Sequence, residues 1–131
     1  MENINIIRLR EIDSTNSEAK RRAQNGESLP MLVVSDSQSA GRGRLGRSFY
    51  SPDGMGLYMS LAYKAEGDMT EAVKITSAAA VAVCLAIEEL TDLKPMIKWV
   101  NDVYIEGKKV CGILTEATKA GDSTVIVLGI G

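Results

Sequence analysis

Residues Val103-Tyr104-Ile105-Glu106-Gly107-Lys108-Lys109-Val110-Cys111-Gly112-Ile113-Leu114 place β-rich arms on both sides of a polar, glycine-bearing centre. That pattern predicts a hairpin, so the sheet contains antiparallel neighbours. Downstream, Leu114 to Ala117 extend the second arm, Gly121-Asp122 turns the chain, and Thr124 to Leu128 form a last apolar strand. Upstream, Met96 to Trp99 begins another strand. Thr70 to Leu90 is alanine-rich without Gly or Pro, and predicts the main helix, buried along one side. Leu57, Met59, Leu61 and Tyr63 alternate with Tyr58, Ser60 and Ala62 at strand period. Near the start, Ile4 to Leu9 predicts a strand. A helix over about 16–25 follows, opened by a Thr15/Glu18 capping box and stopped by Asn25-Gly26. Met31 to Ser35 predicts a short strand. The order β-α-β-loop-β-α-β-β-β-β describes an α+β domain with a mixed or antiparallel sheet.

The chain has 131 residues, 45% of them hydrophobic and 24% charged, which suits one globular domain with a real core. There is no histidine, which excludes Ser-His-Asp and Cys-His nucleophile systems and the common zinc sites. The net charge of −2 argues against a general nucleic-acid coat. Cys84 and Cys111 lack metal-type spacing and read as reduced thiols of a cytoplasmic protein. The first residues do not form a secretory signal, and Ala78 to Ile87 is too short to span a bilayer. No membrane association is expected. Val127-Leu128-Gly129-Ile130-Gly131 is an apolar β segment, expected to be either fully buried or the edge of something larger.

Gln38 to Gly56 carries five glycines and Pro52, and long loops of this kind are usually functional. Its centre, Gly41-Arg42-Gly43-Arg44-Leu45-Gly46-Arg47, formally contains G-x-G-x-x-G. The dinucleotide reading fails because Ser48-Phe49-Tyr50-Ser51-Pro52 does not open a helix. Glycines let backbone approach a ligand, and arginines supply forked donors for carboxylate or phosphate. An anion-binding active-site loop, a flexible basic surface loop and an RNA-contacting Arg-Gly segment all fit this composition. With no anion bound, the three arginines repel one another.

Lys98-Trp99-Val100-Asn101-Asp102 precedes the hairpin. Asn101-Asp102 reads either as a plain turn or as groups facing a Mg²⁺-bound phosphate. Lys109 can point into the same cleft, whereas Lys108 reads as solvated. Trp99, at strand period, reads as a core residue.

Ser14-Thr15-Asn16, the Gln38 to Arg47 run, Ser51-Pro52, Lys98 to Tyr104 and Lys109-Val110-Cys111-Gly112-Ile113-Leu114 stand in an order that resembles biotin–protein ligases. The resemblance runs from about Asp13 to Gly131. It implies a mixed sheet with helices on one side, like the core of class II aminoacyl-tRNA synthetases. It implies activation of biotin with ATP and Mg²⁺ to biotinyl-5′-AMP. Biotin then passes to a lysine of a biotin carboxyl carrier domain. By similarity, Ser14, Thr15, Asn16, Gln38, Arg42, Gly43, Arg44, Lys109 and Gly112 bind biotin. Arg42, Arg44 and Lys109 carry catalysis, Arg44, Arg47 and Asn101 face the nucleotide phosphates, and Asp102 serves the metal. Ser14 and Thr15 also suit a helix cap, and Phe49 and Tyr50 suit a cover over the ligand. Val100 stands where the family usually has proline. No helix-turn-helix precedes Ile4, so neither a repressor role nor a DNA partner is implied. The family pattern continues beyond Gly131 into further nucleotide-site residues and a small C-terminal β-domain. Residues 1–131 therefore read as the N-terminal part of the catalytic domain, with a homodimer possible. A biotin-binding remnant without turnover and a lipoate or octanoate ligase are the rival readings. The polar Ser14-Thr15-Asn16 and Gln38 set argues against the fatty acyl one.

Overall fold

The structure is a computed structural model describing residues 3–66 and 72–131. Among these, the elements are β1 (Asn5–Ile12), α1 (Thr15–Gln24), β2 (Met31–Gln38), β3 (Tyr58–Lys64), α2 (Ala72–Leu90), β4 (Met96–Lys98), β5 (Asp102–Ile105), β6 (Lys108–Ala120) and β7 (Ser123–Ile130). The expected start of the main helix at Thr70 lies outside the described residues. The strands form one sheet in the order β1-β2-β3-β7-β6-β5-β4. β1 and β2 pair in parallel, and the other neighbours are antiparallel. The mixed α+β sheet expected from the sequence is present.

The hairpin is tighter than its sequence suggests. Its turn is Glu106-Gly107 alone, both at positive φ (51° and 75°), and Lys108 and Lys109 already belong to β6. Such two-residue turns follow the strand twist and favour glycine at the second position. β6 then runs 13 residues, well past the expected Ala117.

The placement of the helices corrects the expectation of helices on one side. Side chains alternate faces along a strand. Val125 and Val127 of β7 pack with Ala19 and Ala23 of α1. Leu128 packs with Ala79 and Ala80 of α2. The two helices therefore cover opposite faces. The same geometry explains β3, where Tyr58, Ser60 and Ala62 are the buried set and the apolar Met59, Leu61 and Tyr63 are half-buried. Both faces of that strand are covered, so neither set is solvent-facing. Met31, Val33, Val125 and Val127 are the large apolar side chains sealed in the α1 layer.

β7 is the most enclosed strand, lying between β3 and β6. Within the Val127 to Gly131 segment, Val127 to Gly129 are buried and Ile130 and Gly131 are half-buried, so the apolar strand lies inside the sheet. Exposed apolar residues lie instead on the outer face of α2 and around β4: Val81, Leu85, Leu90, Leu93, Met96 and Trp99. Trp99 is 76% exposed and is not the core residue its strand period suggested. β4 is a three-residue edge strand without a covering layer on that side chain.

Candidate active site

α1 begins one residue earlier than the capping box implied. Ser14 is the N-cap, and its hydroxyl accepts from the Ser17 N–H at 3.4 Å. Glu18 does not complete a box; it pairs with Arg21 and Arg22. This leaves Thr15 and Asn16, both buried, to point over the sheet rather than to cap. The Thr15 N–H and hydroxyl both donate to Gln38 Oε1, at 2.8 and 3.2 Å. Ser60 Oγ, fully buried on β3, donates toward Thr15 Oγ1 (2.8 Å) and Asn16 Oδ1 (2.5 Å). Asn16 Nδ2 reaches the Leu114 carbonyl and Glu116 Oε1 at 3.3 and 3.0 Å. Gln38 Nε2 donates to Ser51 Oγ at 2.8 Å, and Ser51 donates to the Phe49 carbonyl at 2.9 Å. A continuous polar wall thus crosses α1, β2, β3 and the glycine-rich loop.

The floor beside this wall is bare backbone. Gly112 and Gly131 exchange hydrogen bonds at 2.8 and 3.0 Å, and Gly129 lies on the same sheet face. A Cβ on Gly112 would fall 2.9 Å from the Phe49 ring, and one on Gly131 would fall 2.8 Å from it. A Cβ on Gly129 would collide with the Asn16 side chain. These glycines are required by close approach, since none of the three has positive φ.

The Gly-Arg loop closes the other side. A bridge pairs Arg42 with Ser48, the Gly43 N–H donates to the Arg47 carbonyl at 2.7 Å, and a single 3₁₀ turn covers Arg44–Gly46. The arginines do not share one spot. Arg42 pairs with Glu116, Arg44 donates to Asn101 Oδ1 at 3.0 Å, and Arg47 is exposed. Their mutual repulsion is relieved by separate partners. Lys109 Nζ stands 3.0 Å from Asp102 Oδ1 and 5.9 Å from the Phe49 ring centroid.

The result is a cleft lined by Ser14, Thr15, Asn16, Gln38, Arg42, Gly43, Arg44, Asn101, Lys109 and Gly112, with Phe49 and Gly129 to Gly131. Every biotin-side residue expected from the sequence lines it. Arg47 does not, and Asp102 contributes through Lys109. Tyr50 is 87% exposed, so Phe49 alone of that pair covers the cleft. The Trp99–Val100 peptide is cis.

Asp102 does not fit a metal ligand here. Its Oδ1 is buried, accepts no hydrogen bond and faces an ammonium that would compete with a cation. Among the described residues no group of three or more His, Cys, Asp or Glu could hold a metal. Glu116 is the residue that sequence reading missed most clearly. The Lys20, Asn16 and Arg42 contacts hold its carboxyl below the usual carboxylate range although partial burial alone would push it up. Its signal was its even position on β6, which puts it on the face of Gly112 and Leu114. Ser60 was equally readable as a polar residue inside a strand buried on both faces.

The fold is thus a sheet with a helix on each face, carrying a cleft with a glycine-lined side, a neutral polar wall and a cationic rim. The chain belongs to the biotin/lipoate A/B protein ligase family, whose model matches residues 9–131. It is 40% identical over 121 residues to the bifunctional ligase/repressor BirA of Bacillus subtilis, covering 92% of this chain and 37% of that protein. It is 36% identical over 122 residues to the biotin–[acetyl-CoA-carboxylase] ligase of Paracoccus denitrificans, covering 91% and 50%. Among solved structures, the Aquifex aeolicus biotin protein ligase in complex with biotin and ATP matches with a TM-score of 0.76 at 35% identity, covering 97% of this chain and 52% of that one. The chain thus spans about a third to a half of the length of these relatives.

Proposed function

We propose that this chain carries the biotin-activating part of a biotin–protein ligase. The reading comprises ATP-dependent formation of biotinyl-5′-AMP and transfer of biotin to a lysine of a biotin carboxyl carrier domain. The observation that carries it is one cleft lined both by the neutral groups of Ser14, Thr15, Asn16 and Gln38 and by the cations of Arg42, Arg44 and Lys109. A ureido ring needs neutral donors and acceptors. Ser14 keeps its hydroxyl proton for such a ligand, since no acceptor takes it among the described residues. Thr15 and Gln38 are engaged with each other and Asn16 with Ser60, Leu114 and Glu116, so these three act chiefly by shaping the wall. Gly112 and Gly129 let the Phe49 ring and the Asn16 side chain sit close against the sheet, which shapes the cleft beside them.

The chemistry suits a chain without histidine. A carboxylate is already a nucleophile and needs no general base. Its oxygen attacks the α-phosphorus as the bond to pyrophosphate breaks, so catalysis is positioning plus charge neutralisation. Lys109 and Arg42 hold the carboxylate oxygens, while Arg44, tethered to Asn101, faces the phosphates. The acceptor lysine amine then attacks the acyl carbon and AMP leaves. Arg47, exposed beside this rim, belongs to the phosphate side of the same reading. Mg²⁺ would neutralise phosphate charge when bound, and the protein ligands for it do not come from Asp102. No helix among the described residues is long and apolar enough to cross a membrane. A cytoplasmic setting belongs to the proposed reading. The exposed apolar strip on α2 supports association of two copies.

The test is calorimetric titration of biotin and of lipoate into the purified chain, with circular dichroism on the same sample. Saturable biotin binding with lipoate inert is expected. A folded chain that ignores biotin overturns the reading, and binding without ATP-dependent pyrophosphate release reduces it to a binding module.

A further inference from the structure

Glu116 collects three donors from two other parts of the chain. Lys20 Nζ meets Oε2 at 2.5 Å, Asn16 Nδ2 meets Oε1 at 3.0 Å, and Arg42 Nη2 meets the same Oε1. Asn16 and Lys20 lie one turn apart on α1, whereas Arg42 comes from the glycine-rich loop, 74 residues away from Glu116 in sequence. Glu116 itself does not line the cleft, but Arg42 and Asn16 do. One carboxylate therefore holds a rim cation of the cleft from behind. Arg42 is 41% exposed on its side chain and Glu116 is 20% exposed. The arginine end of the pair is accessible to solvent and the carboxylate end is anchored.

We propose that Glu116 is an internal surrogate for the ligand's acid group: it stores Arg42 while the cleft is empty and surrenders it to an arriving carboxylate or phosphate. The arrangement meets the two requirements of such an exchange. First, the competing anions are chemically alike, so the guanidinium trades its one-oxygen contact with Glu116 for a contact with another acid group at little net cost. Second, Glu116 is not left as an uncompensated charge when Arg42 departs, because Lys20 still pairs with Oε2 and Asn16 still donates to Oε1. Without Lys20 the departure would strand a half-buried carboxylate, which is the expensive outcome. Glu116 is thus a positioning residue that acts through Arg42. It lowers affinity for acid-bearing ligands in general and keeps the three loop arginines from crowding the empty cleft. The proposal rests on the biotin reading for the identity of the acid, and its physics needs only an anion.

The test compares biotin with biotinamide, which keeps the ring and tail and lacks the charge. In Glu116→Gln, biotin should bind about threefold more tightly, within the range of what an exposed ion pair withholds, and biotinamide should be unchanged. In an Arg42→Ala background, Glu116→Gln should produce no biotin-specific gain. Equal shifts for both ligands, or a gain that survives removal of Arg42, show that Glu116 merely supports the wall and overturn the proposal. A second measurement uses the unsubstituted chain: side-chain N–H resonances of Arg42 are followed as biotin, and separately inorganic pyrophosphate, is added. Movement of Arg42 away from its Glu116-paired signal with either anion supports the exchange. If pyrophosphate moves it and biotin does not, the exchange stands and the biotin reading falls. An Arg42 signal indifferent to both anions overturns the exchange.

Discussion

Gly112 is a position where a single methyl group tests the site without touching the core. Its Cβ would press on the Phe49 ring and on the Lys109 side chain. Overpacking of this kind displaces the cover and the cation together. Gly112→Ala should weaken biotin binding by about tenfold, roughly 1.4 kcal/mol, with little change in unfolding midpoint. Calorimetry beside thermal denaturation checks both halves. Arg44→Gly removes the tether to Asn101 and the phosphate-side cation at once. In a full-length relative carrying the equivalent change, biotinyl-AMP should escape and label bystander lysines; unchanged release of the intermediate would remove Arg44 from the clamp. Cys111 makes a third residue-level test. Burial pushes its thiol up to about 11, so thiolate is scarce at pH 8. Alkylation by iodoacetamide should proceed at Cys84 well before Cys111, read by peptide mass mapping. At this scale the sequence was most legible where chemistry is carried by unusual residues. Arg42, Arg44, Lys109 and Gly112 announce themselves. Ser60 and Glu116 give only the weaker signal of their place in the strand alternation, and the contacts that make them matter depend on a register no local pattern specifies.

Elements in this fold are joined by polar contacts as much as by apolar ones. α1 docks on the sheet through Ala19 and Ala23, and its first turn is fastened by Ser60 and Glu116. Ser60→Ala would leave Asn16 Oδ1 and Thr15 Oγ1 short of a buried partner. The expected loss is about 1–3 kcal/mol in urea denaturation, larger than a surface serine would give. The acid dependence of folding follows from the same fastenings. Glu116 and Asp13 both titrate below their ordinary values, Asp13 chiefly through its hydrogen bond with Arg21. Carboxyls lowered in the folded state stabilise it above the pH at which the unfolded chain's carboxyls ionise, near 4 to 4.5. That contribution disappears as pH falls through the lower folded-state values. Stability measured from pH 7 downward should hold to about pH 5 and then decline, and the decline should be shallower in Glu116→Gln. The element order itself was readable from periodicity and turn residues. The faces taken by α1 and α2 were not, because the alternating pattern of β3 and the apolar run of β7 look the same whichever side each helix chooses.

The whole molecule is apolar on one flank. Leu85 and Leu90 of α2, Leu93, and Met96 and Trp99 at the β4 edge expose much of their surface. Exposed apolar side chains gathered on neighbouring elements favour association. Sedimentation velocity should show concentration-dependent oligomers, and Leu90→Lys with Met96→Lys should suppress them while biotin binding stays intact. The sheet has a second property at this scale. β1-β2-β3 and β4-β5-β6 touch within the sheet through β7 alone. Residues 1–122 can therefore assemble two half-sheets during synthesis, which Asn16, Lys20 and Arg42 can link through Glu116 but which no strand pairing joins until Ser123–Ile130 has been made. The seam between them then closes in one step, so the order of translation, not the strength of any early contact, sets when the cleft first exists. A nascent chain stalled at Asp122 should show no cooperative unfolding, and one released past Gly131 from the ribosome exit should acquire it abruptly.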